Sequence, residues 1–182
     1  MSHPEFKSSL SKYKPLAPIH LPNRQWPSNH IQQSPIWCSV DLRDGNQALV
    51  NPMSVDQKIM FFDYLVSIGF KEIEVGFPAA SSVEFEFVRA IIEQNKIPDD
   101  VHIQVLTQAR PHLIERTLES TQGANHAIVH LYNSTSIAQR KYVFDKSTDE
   151  IINIALTGIR DIKKHLTANN KNVILQYSPE SF

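Results

Sequence analysis

Only one cysteine, Cys38, stands in the sequence. It cannot form an internal disulfide, and a reducing, cytoplasmic setting is the expectation. Glycine is scarce. There are five, none in G-x-G-x-x-G or Walker spacing, which argues against dinucleotide and P-loop chemistry. Neither a nucleophile elbow nor a C-x-x-C pair occurs. The longest apolar stretch, near Met60 to Phe70, is broken by Asp63, so no segment is expected to span a bilayer. The N-terminus lacks an apolar h-region, which argues against a secretory signal. Acid is scarce in the first 35 residues, but a transit peptide is not the favoured reading. Neither sign of charge dominates. The net charge of −1 and a pI near 6.7 carry no signature for nucleic acid or an anionic membrane. What is left is an ordinary globular composition, 41% apolar and 20% charged, in a length of 182 residues that suffices for one domain with a sizeable core.

Proline, by contrast, is concentrated. Six of the eleven fall at positions 4, 15, 18, 22, 27 and 35. Proline removes donors and fixes φ, so residues 1–35 read as an extended arm. Two uses stay open, a disordered tail or an arm that wraps a neighbouring subunit.

After Pro35 the pattern becomes regular. Trp37 to Leu42 reads as a strand. Ser54 and Gln57 form a capping box for a helix whose apolar stripes are Ile59, Phe62 and Val66 beside Phe61, Leu65 and Ile68, with Gly69 at its end. "KEIEVGFP" is a second strand. Ser81 and Glu84 predict another capping box, ahead of Phe87, Val88, Ile91 and Ile92. "VHIQVLT" follows as a strand, and Pro111 opens a third helix. "HAIVHLY" is the fourth strand. Ser147 and Glu150 cap a helix carrying Ile152, Ala155, Ile159, Ile162 and Leu166, and "NVILQYS" is the fifth strand. Strict alternation predicts a parallel α/β sheet of right-handed βαβ units. A doubly wound sheet and a TIM (β/α)8 barrel both fit. The chain ending directly after a strand favours the barrel, of which it would supply about five strands and four helices. The expected organisation is a proline-rich arm over 1–35 and a barrel portion over 36–182.

In either architecture ligands gather at the carboxyl ends of the strands. The polar groups delivered there are Asp41, Arg43 and Asp44; Glu74; Thr107 and Gln108; His130, Tyr132, Asn133 and Ser134; and Gln176, Ser178 and Glu180. Asp44 can help hold Mg²⁺, which is often bound by one or two carboxylates with substrate oxygens and water. Arg43 can polarise a carbonyl or clamp a carboxylate; a structural ion pair with Asp41 or Glu74 is the equal alternative. Glu74 lies within an apolar strand and needs a partner, for which Arg43 is the candidate. Glu180 suits a general acid/base if desolvated, or is a solvated loop carboxylate. His126 and His130 sit about 13 Å apart on a strand and cannot share one ion. Residues 133–147 form a long βα loop with Arg140 and Lys141, readable as a lid, an anion-contacting loop or a plain solvated loop.

"VDLRDGNQAL" with the following "PM", then "KEIEVGFPAAS", "VLTQAR", "IVHLYNSTS" and "QYSPESF", resembles the long form of the 2-isopropylmalate synthase family from about Pro15 to Phe182. The wider group of homocitrate and citramalate synthases and hydroxymethylglutaryl-CoA lyase shares the D-x-R-D-G start, while "GFPAAS" and "YNSTS" favour the isopropylmalate branch. The resemblance implies a TIM barrel that condenses acetyl-CoA with 2-oxoisovalerate. It implies Asp44 as ligand of a divalent metal, Mg²⁺ first with Mn²⁺ or Zn²⁺ as alternatives, and Arg43 as stabiliser of the oxyanion. His130 and Ser178 would contact substrate, Glu180 would act in acid/base steps, and Glu74 would support Arg43. A homodimer is implied for the full-length protein, with no nucleic acid or membrane partner.

There is one departure. The family completes its metal site with a His-x-His pair, and none occurs in this sequence. The chain therefore resembles an N-terminal portion, expected to be inactive alone, to bind metal weakly and to self-associate through exposed edges. Homocitrate or citramalate synthesis is the alternative activity. A non-catalytic five-stranded binding module is the alternative of another class. Strand order separates them: 1-2-3-4-5 for a barrel, 2-1-3-4-5 for a doubly wound sheet.

Overall fold

The computed structural model describes residues 16–17, 19–24, 31, 33–169 and 173–182. The chain divides into two units, Met1–Pro35 and Ile36–Phe182. In the first, the described residues include a turn in which the Arg24 N–H donates to the Leu21 carbonyl at 3.1 Å. Most of the expected arm lies outside the described residues.

The second unit contains strands β1 (Cys38–Ser39), β2 (Glu72–Gly76), β3 (His102–Gln108), β4 (Ala127–Ser134) and β5 (Val173–Glu180). All neighbours pair in parallel, in the order β1-β2-β3-β4-β5. This sequential order is that of a barrel wall, not of a doubly wound sheet. Its helices are α1 (Val55–Ile68), α2 (Ser82–Glu93), α3 (Pro111–Ser120), the short α4 (Ile137–Gln139) and α5 (Thr148–Asn169). The four longer ones make the crossovers, as expected.

Local signals explain most boundaries. Ser54 and Gln57 make the full reciprocal box, and Gly69 ends α1 at φ 107°, a left-handed conformation that favours glycine. Pro111 occupies the first turn of α3. Ser147 and Glu150 also cap reciprocally, with Glu150 Oε2 accepting from the Ser147 N–H at 2.8 Å.

Four expectations need correction. The strand predicted over Trp37–Leu42 is paired only at Cys38–Ser39. The Val40 carbonyl then accepts from the N–H groups of Arg43, Asp44 and Gly45, so Asp41–Gly45 winds into a wide helical turn. At α2 only half a box forms: Ser81 accepts from the Glu84 N–H, but the Glu84 carboxylate turns to Lys58 and Phe77. Two stripe positions also differ, although Ile59, Phe61 and Val66 pack against the core as expected. Lys58 is buried with Phe62 and Leu65 while Ile68 is exposed, and Ile151 rather than Ile152 enters the core from α5. Finally, residues 133–147 are not one loop, since β4 runs on to Ser134 and α4 continues into a wide turn at Arg140–Phe144.

Alternation along the strands separates two faces. Ile73, Val75, Ile103, Val105, Val129 and Leu131 pack with Phe62, Phe87, Ile91, Ile114 and Ile162 of the helices into one hydrophobic core. The opposite face carries Glu74, Gln104, His130 and Ser178.

Candidate active site

One line of hydrogen bonds crosses that second face. It begins at the wide turn, which carries Arg43 over the end of β2. Arg43 Nε donates to Glu74 Oε1 in an ion pair, and its Nη1 reaches Asp44 Oδ1 at 3.0 Å. Glu74 Oε2 accepts from Gln104 Nε2 at 2.7 Å. His130 Nδ1 lies 3.0 Å from Gln104 Nε2 and 3.3 Å from Glu74 Oε2, and His130 Nε2 lies 2.7 Å from Ser178 Oγ. Register explains the path. Glu74 stands directly opposite Gln104, while His130 is one inward step further along β4 and Ser178 one further along β5. The contacts thus climb diagonally, as expected of staggered strands in a barrel wall.

Both neutral tautomers of His130 satisfy this line. A hydrogen on Nδ1 is donated to Glu74, leaving Nε2 to accept from the Ser178 hydroxyl. A hydrogen on Nε2 is donated to Ser178, leaving Nδ1 to accept the second Gln104 amide hydrogen. Either way, an unbroken line of hydrogen bonds connects Arg43 to Ser178.

The Glu74 side chain is only 1% exposed. Burial works to raise its pKa, yet hydrogen bonds to His130, Arg43 and Gln104, with the Arg43 charge, outweigh it and hold the carboxyl below its ordinary value. These partners therefore favour the charged form of Glu74. Its Oε1 holds Arg43, whose side chain is 20% exposed and whose Nη2 makes no hydrogen bond among the described residues. A cation held this way can meet a developing oxyanion without reorganising.

Asp44 is 66% exposed beside Arg43. As one hard oxygen donor it suits a divalent ion of the Mg²⁺ kind. Among the described residues, though, no three His, Cys, Asp or Glu side chains come together. The donor set fits such an ion only with ligands from elsewhere. Glu180 is exposed; its carbonyl accepts from the Thr135 N–H at 2.9 Å and hydroxyl at 3.0 Å, while its side chain joins no described hydrogen bond.

Of the other strand-end groups, Gln108 donates to the Tyr132 hydroxyl at 2.7 Å on the site face. Thr107 and Asn133 belong to the helix face instead: Thr107 is fully buried, and Asn133 Oδ1 accepts from the Tyr177 hydroxyl. Asp41 accepts from Ser39 Oγ at 2.6 Å, so it is not the partner of Arg43. Gln104 was not anticipated, although a glutamine inside the apolar run "VHIQVLT" is the same kind of signal that marked Glu74. The buried Lys58 was also missed.

A 2-isopropylmalate synthase from Arthrobacter sp. (strain FB24) is 59% identical over 165 residues, covering 90% of this chain and 28% of that protein. The Clostridium acetobutylicum protein of the same name is 53% identical over 175 residues, covering 94% and 31%. The chain thus spans less than a third of the length of these relatives. In fold it is similar to the HMG-CoA lyase of Bacillus subtilis, with a TM-score of 0.59 at 20% identity over 78% of this chain and 45% of that one. The HMGL-like family model matches residues 34–182, which include every residue of the hydrogen-bonded line, and the chain belongs to the HMGL-like family.

Proposed function

We propose that residues 36–182 are the N-terminal part of the catalytic barrel of a 2-isopropylmalate synthase. In this reaction the acetyl-CoA methyl group loses a proton and its carbon attacks the ketone of 3-methyl-2-oxobutanoate. Water then cleaves the thioester, releasing CoA and 2-isopropylmalate, the first committed step of leucine biosynthesis. The observation that carries the reading is the line from Arg43 to Ser178 across the polar face of the strands, in a chain more than half identical to relatives bearing that name.

Arg43, aimed by Glu74, faces the oxygen that becomes charged as the carbon–carbon bond forms. His130 and Ser178 contact the 2-oxo acid. Glu180 moves a proton near the acetyl group. Asp44 contributes one ligand to a divalent ion, Mg²⁺ in preference to Mn²⁺ or Zn²⁺, with the remaining ligands from outside the described residues. When bound, such an ion polarises the ketone. The full-length protein is expected to be a cytoplasmic homodimer, and the 182-residue chain alone to be inactive.

The test is CoA release by the full-length protein from acetyl-CoA with 3-methyl-2-oxobutanoate, 2-oxoglutarate or pyruvate. Turnover is expected with the first and should vanish on chelation. Arg43→Met should lower kcat by about 10²–10³-fold. Preference for 2-oxoglutarate or pyruvate would make the enzyme a homocitrate or citramalate synthase and overturn the substrate assignment. No CoA release with any of the three would overturn the activity.

A further inference from the structure

The turn that leaves β2 rests on buried charge. Lys58 of α1 has no exposed side-chain surface; its Nζ pairs with Glu84 Oε1 of α2 and lies 5.1 Å from the centre of the Phe87 ring. The other oxygen, Glu84 Oε2, accepts from the Phe77 N–H at 3.2 Å. Gly76 approaches so closely that a β-carbon there would overlap Glu84 Oε2. Two helices and the turn after β2 therefore meet at one carboxylate.

At the same turn the register of the sheet slips. Glu74 pairs with Gln104, but Gly76 pairs with Val105. A bulge of this kind re-aims adjacent side chains, and the adjacent side chain is Glu74. A well-packed apolar pair at positions 58 and 84 would serve burial as well as these ions do. What it could not supply is a fixed acceptor for the Phe77 N–H.

We propose that Glu84 is a positioning residue. Lys58 neutralises the Glu84 carboxylate, Glu84 fixes the bulge through Phe77, and the bulge directs Glu74 to Arg43, Gln104 and His130 together. The kinetic consequence rests on the synthase reading; the structural one does not. The test compares two full-length variants in which the buried charges are both removed. K58M/E84Q keeps a side-chain oxygen for Phe77, whereas K58M/E84L does not. Both should melt cooperatively. K58M/E84Q should hold kcat within about threefold of the parent, and K58M/E84L should lose about 10- to 100-fold in kcat with KM for acetyl-CoA little changed. Hydrogen exchange over residues 73–77 should accelerate in K58M/E84L alone. Parental kcat and parental exchange in K58M/E84L would overturn the proposal, as would failure of that variant to fold, which would assign the pair to stability alone. If the parent enzyme releases no CoA with any 2-oxo acid, the synthase reading falls, and the exchange comparison still decides the positioning role.

Discussion

Glu74 is the residue on which the site depends most, and its replacement has a cost that the geometry bounds. Glu74→Leu removes the carboxylate that neutralises Arg43 and accepts from Gln104. Breaking a buried ion pair from one side costs ~3–5 kcal/mol. Arg43 is 20% exposed, so water recovers part of this, leaving about 2–3 kcal/mol. The stranded Gln104 amide adds about 1 kcal/mol. The expected loss for Glu74→Leu is thus ~3–4 kcal/mol. Glu74→Gln keeps the shape but has one acceptor oxygen where the carboxylate used two, so it should lose about one charged hydrogen bond, ~1.5–3 kcal/mol. In Arg43→Met/Glu74→Leu no buried charge is left unpaired, since Asp44 is 66% exposed, and the double variant should be more stable than Glu74→Leu alone. The measurement is the urea midpoint of each variant of the full-length protein, followed by circular dichroism and combined as a double-mutant cycle. Losses below about 1 kcal/mol for Glu74→Leu, adding independently to Arg43→Met, would refute the reasoning.

Three further outcomes follow from the same geometry. Because the folded-state pKa of Glu74 lies below its ordinary 4.5, its contribution to stability is complete above that value and is lost as pH falls through the lowered folded value; Glu74→Gln should flatten the acid limb of a stability–pH curve, and an unchanged limb would count against it. Burial first, then the charges of Glu74 and Glu72, push the Cys38 thiol up to about 11, so iodoacetamide at pH 8 should modify it on the order of 10²-fold more slowly than a free thiol, and a free-thiol rate would contradict the burial. Gly76→Ala should destabilise by ~1–3 kcal/mol, because Glu84 can retreat only by releasing Lys58 and Phe77; an unaltered melting temperature would disprove that crowding.

Much of the fold was legible because its signals are local. A capping serine, a terminal glycine or a first-turn proline acts within four residues, and so the starts of α1, α3 and α5 and the end of α1 fall where the sequence places them. Strand order is not local, since it depends on which strands meet across distant positions, but the barrel is the architecture favoured from the sequence, and the sheet has the barrel's sequential order. Errors arose where a residue had two possible partners. Glu84 carries the capping-box signature, yet the carboxylate is taken by Lys58, an interaction across two helices that spacing along one cannot reveal. The same pair adds Lys58 to the buried side of α1, a residue that apolar spacing does not pick out.

The candidate site shows the same division more sharply. Arg43 and Glu74 are separated by 31 positions, yet the pairing was foreseeable because a carboxylate inside an apolar strand must find a cation. Gln104 carries no charge and makes no such demand, so an identical position in the next strand went unread. Yet Gln104 joins the two halves of the line, since one amide nitrogen reaches both Glu74 and His130. Without it, His130 would keep only the longer contact to Glu74 and the bond to Ser178. A neutral residue is thus required where a second acid would repel Glu74 and a second base would compete with Arg43 for it. In this wall of parallel strands, the uncharged polar side chain level with the buried ion completes the line that the ion begins.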